Sequence, residues 1–227
     1  NRPGLPSMIE RVQQIRPESE TKPVDSSDVV VIGAGLAGKA ASLQLARAGL
    51  KVICISPSQS TRPPVGESLD WSAPDLLRNL GLPMEHLIDC QMATWKRHVT
   101  LRMRDGCSEH YVPSTWLGKS PLNIELRTLH IDWVRLDDEL LRFTVDAGVT
   151  LAADKAVGVE RTGNRISAIR TASGQSFSAD WFIDASGIGA SLFGREFRLP
   201  KIEDGRTKVA IWTYFPVTDP VEGTTLY

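Results

Sequence analysis

The first part of the chain carries a hydrophobic pattern typical of a strand, a helix and a second strand. The β-branched run at 29–32 predicts a buried strand. Small and apolar residues then continue to Ala48 with helical spacing, and Gly49 is a suitable helix end. The apolar run at 51–55 predicts a second buried strand. This order predicts a βαβ unit with parallel strands.

Polar and apolar positions in the middle of the chain predict a short helix followed by a hairpin. Ser72 is a suitable N-cap for a helix that Gly81 would end. Apolar and polar residues alternate over 97–104, and Asp105-Gly106 is a typical hairpin turn before a returning strand. These elements therefore indicate an antiparallel segment after the βαβ unit.

The second half of the chain predicts a long helix and then a β-meander. Asp132 is a suitable cap for a helix over 133–147, whose predicted core-facing side chains are Val134, Leu141 and Val145. Three short strands with turns between them follow over 156–179, then an apolar run at 181–184 that predicts a buried strand. Residues 208–215 are again strand-like. The whole pattern predicts an α/β fold, in which a parallel core sheet carries an inserted antiparallel layer.

Composition and charge exclude several classes of protein. The 227 residues are 41% hydrophobic and 23% charged, with a net charge of −1, so neither nucleic acid nor a membrane is expected as a partner. No apolar run approaches the roughly 20 residues of a membrane span, and no secretion signal is evident, which favours a cytoplasmic location. The three cysteines and four histidines lack metal-ligand spacing, so no metal site is expected.

The strongest functional signal is a glycine-rich loop between the first strand and the first helix. It places Gly33, Gly35 and Gly38 in the order G-x-G-x-x-G. In such loops the first glycine permits a tight turn, the second lets the backbone approach a pyrophosphate, and the third allows close packing of helix and strand. The amide groups at the start of the helix then bind the phosphates. The loop therefore predicts a dinucleotide site.

The residues of this loop also permit two other interpretations. Residues 33–39 also match the start of a nucleoside-triphosphatase P-loop, but the magnesium-binding hydroxyl expected next is replaced by Ala40. Lys39 is then expected to be a solvated lysine of the first helical turn. Ser56 stands where an acidic residue would bind a ribose, and with Arg62 nearby it could indicate a 2′-phosphate site for NADP.

Four segments, in this order and spacing, resemble the FAD-dependent monooxygenases of the para-hydroxybenzoate-hydroxylase type. Among these, the chain is most similar to the tryptophan-halogenase and LodB-like branch. The segments are the βαβ unit at 28–56, V-G-E-S-L at 65–69, Leu126-Arg127 ahead of the helix that Asp132 begins, and F-I-D-A-S-G at 182–187 followed by Ser191-Leu192.

The resemblance implies a Rossmann-like FAD-binding domain, made of a parallel sheet and a meander, with an inserted antiparallel substrate domain. Residues 27–90 and 125–200 would form the first domain, and 91–124 with 201–227 part of the second. Residues 1–26 are expected to be a flexible extension. Because the family's later flavin motif is not found and the chain ends in a strand-like run, we expect a protein of nearly twice this length.

The resemblance also implies which residues would contact FAD. The pyrophosphate would lie against Gly33, Gly35, Leu36, Ala37 and Gly38. The adenosine end would contact Ser56 (where the family usually has Glu), Arg62 and the backbone of Val157. Glu67, Ser68 and Arg127 would face the ribityl chain, the pyrophosphate or the flavin edge. A turn formed by Asp184, Ala185, Ser186 and Gly187 would pass under the cofactor.

Several of these residues also have a purely structural explanation. The two arginines, Arg62 and Arg127, could form surface ion pairs. Glu67 could cap the helix that begins near Ser72, and the turn after residue 184 could simply end a strand. For each of these residues, the structural and the cofactor-binding explanation stay open at the level of the sequence.

In the resembled family, NAD(P)H or a partner reductase reduces FAD, and oxygen is then transferred to an electron-rich ring. We therefore expect hydroxylation of an aromatic substrate, such as an indole or a protein-bound tryptophan. A flavin-dependent halogenase is the alternative enzyme, and its catalytic lysine would correspond to Lys96, although basic residues follow it at 97, 102 and 104. A third interpretation is a non-catalytic partner subunit that retains the nucleotide fold.

Overall fold

The computed structural model describes residues 26–57, 68–69, 72–96, 98–112, 119–123, 128–187, 191–200, 213 and 223–226. The chain divides into two compact units. The first unit is formed within Asn1–Thr61 and Asp137–Glu203, and the second within Arg62–Leu136 and Asp204–Tyr227. The assignment of cofactor- and substrate-binding domains to these parts stays a prediction.

The described strands and helices follow one another along the chain as expected for a mixed α/β protein. The strands are β1 (Ser27–Ile32), β2 (Val52–Ser56), β3 (Ala93–Trp95), β4 (His98–Arg102), β5 (Ser108–Tyr111), β6 (Leu129–Ile131), β7 (Thr150–Ala153), β8 (Ala156–Thr162), β9 (Arg165–Thr171), β10 (Ser176–Asp184) and β11 (Gly223–Leu226). The helices are α1 (Leu36–Arg47), α2 (Ala73–Asn79), α3 (Met84–Asp89), α4 (Trp133–Asp146) and α5 (Leu192–Glu196).

The first unit is built on a six-stranded sheet in the order β7-β2-β1-β10-β9-β8. Strands β7, β2, β1 and β10 run parallel, and the other pairs are antiparallel. The sequence predicted separate strands on either side of residue 180, but β10 is one continuous strand. Its start pairs with β9, whereas 179–184 pair with β1. The parallel core and the meander are therefore confirmed, and they share a strand.

Side-chain alternation along β1 separates the two faces of this sheet. Val30 and Ile32 belong to a core cluster with Ile169 of the meander. Val29 and Val31 belong to a second cluster, against which Leu45 and Ala46 of α1 pack. Successive side chains of a strand point to opposite faces. One face of β1 thus packs with residues of the meander, and the other face packs against α1.

The second half of β10 is less buried than the sequence predicted. No residue of β10 is fully buried, and Trp181 is 43% exposed. The reason is geometric, since β9 pairs only with Ser176–Ser178 and leaves the later part of the strand bordered by β1.

In its described residues, the second unit shows two small sheets and the short helices α2 and α3. Strands β3 and β6 form an antiparallel pair, and β11, β4 and β5 form a three-stranded sheet in which β11 lies parallel to β4. The predicted helix before Gly81 and the hairpin at Asp105-Gly106 are confirmed as α2 and as β4–β5. Helix α3 was not predicted. Of the strand predicted at 208–215, only residue 213 lies among the described residues.

Helix α4 begins where the sequence predicted, but it buries a different face. The Asp132 carboxylate accepts hydrogen bonds from the backbone amides of residues 134 and 135, at 3.1 and 3.2 Å. Val134 and Val145 are 56% and 50% exposed, whereas the buried stripe consists of Leu136, Leu140 and Thr144. Thr144 was not among the predicted core-facing residues. In the structure it donates to the Leu140 carbonyl one turn earlier, at 2.6 Å.

Within the part of the chain that the structure describes, no helix is long and apolar enough to cross a membrane.

Candidate cofactor-binding site

The glycine-rich loop follows β1 at the carboxyl edge of the parallel strands. Gly33 has a backbone φ of +98°, a conformation that residues other than glycine rarely adopt. A Cβ on Gly33 would lie 2.6 Å from the carbonyl oxygen of Ala185. The Gly33 amide donates to the Ile55 carbonyl of β2, at 2.7 Å. The position is therefore restricted to glycine by both conformation and packing.

Gly38, in the first turn of α1, is restricted by packing alone. A Cβ there would lie 1.8 Å from the Gly33 carbonyl oxygen and 3.5 Å from the Ala185 side chain. This contact confirms the expected close approach of helix and strand.

Gly35 differs from the other two glycines because it borders open space. Its φ is −70°, and no described atom lies within 4 Å of the place that a Cβ would occupy. It is the N-cap of α1, and all of α1 is described, with no acidic side chain in the first turn. Leu36 and Ala37 are exposed. Unpaired amides at a helix start, without a competing carboxylate, form a suitable anion site.

A second segment, the turn after β10, lies directly beside this loop. Asp184 pairs with Ile32 at the end of β1, and the Ala185 amide donates to the Ile32 carbonyl at 2.8 Å. The structure thus brings together residues 33–38 and 184–187, which are far apart in the sequence.

Asp184 organises that turn through hydrogen bonds to both of its carboxylate oxygens. One oxygen accepts from the Ser186 amide at 3.1 Å and from its hydroxyl at 2.5 Å. The other accepts from the Ser191 hydroxyl at 2.9 Å and from the Phe193 amide at 2.8 Å. Burial raises the pKa of Asp184, but the hydrogen bonds from these residues outweigh it and leave the pKa below its usual value.

Lys39 corrects the expectation of a solvated lysine. The residue is 3% exposed, and its ammonium group lies 2.5 Å from an oxygen of the Asp137 carboxylate in α4. The side chain is thus paired with α4, which also argues against the P-loop interpretation, since a P-loop lysine must reach the phosphates. Asp137 was not predicted, and its distance of 98 residues from Lys39 left no sequence signal.

Two of the three residues assigned to the adenosine end, Ser56 and Val157, lie in the first unit. Ser56 ends β2 beside Ala153 of β7, and its hydroxyl donates to the Pro57 carbonyl at 3.3 Å. Val157 is 42% exposed and lies at an irregularity of β8, where the pairing shifts between Ala156 and Gly158. A bulged residue leaves its backbone groups outside the ladder.

The remaining assigned residues fall in the second unit or outside the described part. The Ser68 hydroxyl lies 3.2 Å from Nδ1 of His130. Lys96 was expected to open the strand predicted over 97–104, but it follows the end of β3, and its amide donates to the Thr128 carbonyl at 2.9 Å. Arg62, Glu67 and Arg127 lie outside the described residues.

Among the described residues, no three histidine, cysteine, aspartate or glutamate side chains are grouped so that they could hold a metal ion. The loop instead fits the pyrophosphate of a dinucleotide. Among the described residues nothing outside the loop and its helix contacts the Cβ position at Gly35, the first turn of α1 lacks acidic side chains, and hydrogen bonds to Asp184 hold the adjacent turn.

A family model described as "Lycopene cyclase protein" matches residues 28–202, from β1 past α5. The chain belongs to the lycopene cyclase protein family. The match includes both segments of the site, the glycine loop and the turn at Asp184.

This member of the lycopene cyclase protein family is also similar to several oxidoreductases and to a brominase. It is 33% identical over 171 residues to the menaquinone reductase of Mycobacterium tuberculosis, covering 74% of this chain and 39% of that protein. It is 26% identical to the flavin-dependent brominase Bmp2, with a TM-score of 0.58, covering 72% of this chain and 38% of that one. PqsL of Pseudomonas aeruginosa, described as a probable FAD-dependent monooxygenase, shares the fold with a TM-score of 0.65 at 16% identity, covering 80% and 48%.

The chain therefore has the fold of flavin-dependent halogenases and FAD-dependent monooxygenases, which confirms the expected fold class. It spans less than half the length of these relatives. Their descriptions name different reactions on one fold, so the fold does not determine the reaction. The tryptophan-halogenase and LodB-like branch stays a prediction.

Proposed function

We propose that this chain is the FAD-binding part of a flavin-dependent oxidoreductase. The observation that carries the proposal is that the helix start at Gly35, whose first turn lacks acidic side chains, lies beside the hydrogen-bonded turn at Asp184. The flavin dependence of the related brominase supports FAD over NADP.

Within this proposal each segment has a distinct task. The amides of 36–38 would bind the pyrophosphate, and Gly35 would let it approach the backbone. The turn after Asp184 would pass under the cofactor, and Ser56 and Val157 would lie at its adenosine end. When bound, FAD would supply the electron transfer and oxygen activation, and the protein would orient the substrate and exclude water.

The test is a direct measurement of bound nucleotide. The purified protein should carry flavin absorbance, and the protein freed of flavin should bind FAD in preference to NADP in a calorimetric titration. Tighter binding of NADP than of FAD would contradict the proposal. A colourless protein that binds neither would favour the non-catalytic partner subunit.

For the reaction, we propose hydroxylation of an aromatic ring, with an indole or a protein-bound tryptophan as the substrate class. NAD(P)H or a partner reductase would supply the electrons. The position of Lys96 supports hydroxylation over halogenation. Its backbone follows β3 and is paired with Thr128, and it precedes a segment rich in basic residues.

Flavin-dependent halogenation is the second candidate, favoured by the similarity to the brominase. An assay with reduced FAD, oxygen, bromide and either free tryptophan or a tryptophan peptide separates the two by product mass. Addition of oxygen that is insensitive to bromide, in both the wild type and Lys96→Ala, supports hydroxylation. Bromine incorporation that is lost in Lys96→Ala would show that the halogenase is correct.

A further inference from the structure

Lys39 combines two structural tasks in one residue of α1. Its backbone amide donates to the Gly35 carbonyl at 2.9 Å, a hydrogen bond that closes the first turn of the helix. Its side chain is buried and reaches α4, where Nζ lies 2.5 Å from the Asp137 carboxylate and 3.4 Å from the Asp137 carbonyl oxygen. One residue therefore connects the glycine loop with a helix distant in the sequence.

The Cys54 thiol is affected by the charge of this ammonium group and also lies close to the glycine loop. Cys54, on the neighbouring strand β2, places its thiol 3.7 Å from the Gly33 carbonyl oxygen. Burial raises the pKa of Cys54, while the positive charge of Lys39 acts in the opposite direction. Lys39 is thus close enough to influence a group that touches the loop.

A buried ion pair is not by itself evidence of a stabilising role, because desolvation of the two charges can cancel their attraction. Its geometry is more informative. The ammonium group is almost fully buried, whereas the side chain of Asp137 is 43% exposed. Nearly all of the desolvation therefore falls on Lys39, in the turn that carries the loop amides. A methionine could fill much of the same space without that cost.

We propose that Lys39 is a positioning residue for the pyrophosphate-binding loop, held in place by Asp137 of α4. The inference rests on the proposed FAD site. Its physical basis is the close packing of the loop, since Gly38 packs against Gly33, and Gly33 packs against Ala185. A small shift of α1 would move the amides of 36–38 away from the phosphates, while the strands below would stay in place.

The test compares Lys39→Met with the milder variant Asp137→Asn in the FAD-binding protein. The matched control is Arg142→Met, which removes the exposed ion pair of Arg142 with Glu139 on the same helix, at 2.7 Å. Calorimetry gives the Kd for FAD and for ADP, which retains the pyrophosphate without the flavin. Phosphorus NMR of bound FAD reports the surroundings of the two phosphates, and urea unfolding reports stability.

We expect Lys39→Met to raise the Kd for both FAD and ADP by about tenfold or more, with a shift of the phosphorus resonances. Asp137→Asn should change the same quantities in the same direction, and Arg142→Met should leave them unchanged. Lower stability with unchanged Kd values and resonances in both variants would show that Lys39 is only structural and overturn the inference. Failure of the wild type to bind either ligand would instead overturn the proposed FAD site.

Discussion

At the scale of single residues, the three glycines of the loop have different physical requirements. Gly33 needs a positive φ and close packing, Gly38 needs only close packing, and Gly35 needs neither. A glycine that borders open space is not required by the fold of the protein alone. Gly35 is therefore the position at which ligand binding can be separated from folding.

We predict that Gly35→Val removes bound flavin but changes the free energy of unfolding by only about 1 kcal/mol or less. The valine would extend into the space proposed for the pyrophosphate, with no described atom in its way. Flavin absorbance per protein and urea unfolding measure the two effects. Retention of flavin at the wild-type ratio would show that the loop is wrongly assigned.

The opposite behaviour is expected of Gly38→Ala, which serves as the matched variant. Its added Cβ would meet the Gly33 carbonyl oxygen at 1.8 Å, so the backbone must move. Overpacking of this kind costs about 1–3 kcal/mol or more. Stability should fall together with flavin content, and a Gly38→Ala protein as stable as the wild type would contradict the packing described for this turn.

Asp184 predicts a specific dependence of stability on pH. Its pKa is lowered in the folded protein, so the carboxylate contributes stability above its unfolded pKa of about 3.9. That contribution is lost as the pH falls through the lower, folded pKa. Asp184→Asn should cost about 1–3 kcal/mol near neutral pH. The difference from the wild type should shrink in urea unfolding curves measured below about pH 4; a difference that is constant with pH would contradict this role.

At the scale of elements, the sequence predicted local structure well where periodicity and capping agreed. The βαβ unit, the hairpin and the capped start of α4 were all predicted. The buried face of α4 was not, because the side chain of Thr144 satisfies its own hydroxyl within the helix and so enters the core. The continuity of β10 was also missed, since its pairing partner changes without a break in the chain.

The candidate site was predictable only as far as local motifs reach. The glycine loop and the turn after β10 each carry a recognisable pattern, and parallel pairing places them together. The ion pair of Lys39 with Asp137 depends on the packing of α1 against α4, which no local pattern encodes. For that reason a buried lysine was mistaken for a solvated one.

The cap of α4 gives a test at this scale. Asp132→Ala removes an acceptor for two backbone amides and should destabilise the protein by about 1 kcal/mol. Asp138→Ala, at an exposed position of the same helix, is the control and should change stability by less than about 0.5 kcal/mol. Equal effects in thermal or urea unfolding would mean that Asp132 does not act as the cap.

At the scale of the whole molecule, the sheet of the first unit is most buried in its central strands. Val30 and Val31 of β1 are fully buried, and β1 is paired on both sides, by β2 and β10. Strand β8 lies at the edge of the same sheet. Local stability is therefore expected to decrease from the centre of the sheet towards its edge.

We predict that backbone amides of β1 and β2 exchange with deuterium more slowly than those of β8 and α5. Exchange of central strands requires opening of the whole sheet, whereas an edge strand opens locally. Peptide-level mass spectrometry resolves these segments. Similar rates in β1 and β8 would indicate that the sheet opens as one unit.

The pairing of β1 with β10 also has a consequence for synthesis of the protein. The Ser27 hydroxyl donates to the Ser178 carbonyl, 151 residues further along the chain. At 5–20 residues per second, the ribosome adds that length in roughly 8–30 s. During this time one edge of a strongly apolar strand lacks its native partner, and such edges readily pair with other chains. Slower translation or loss of chaperones should therefore reduce the yield of soluble protein, while the protein that does fold keeps its normal stability.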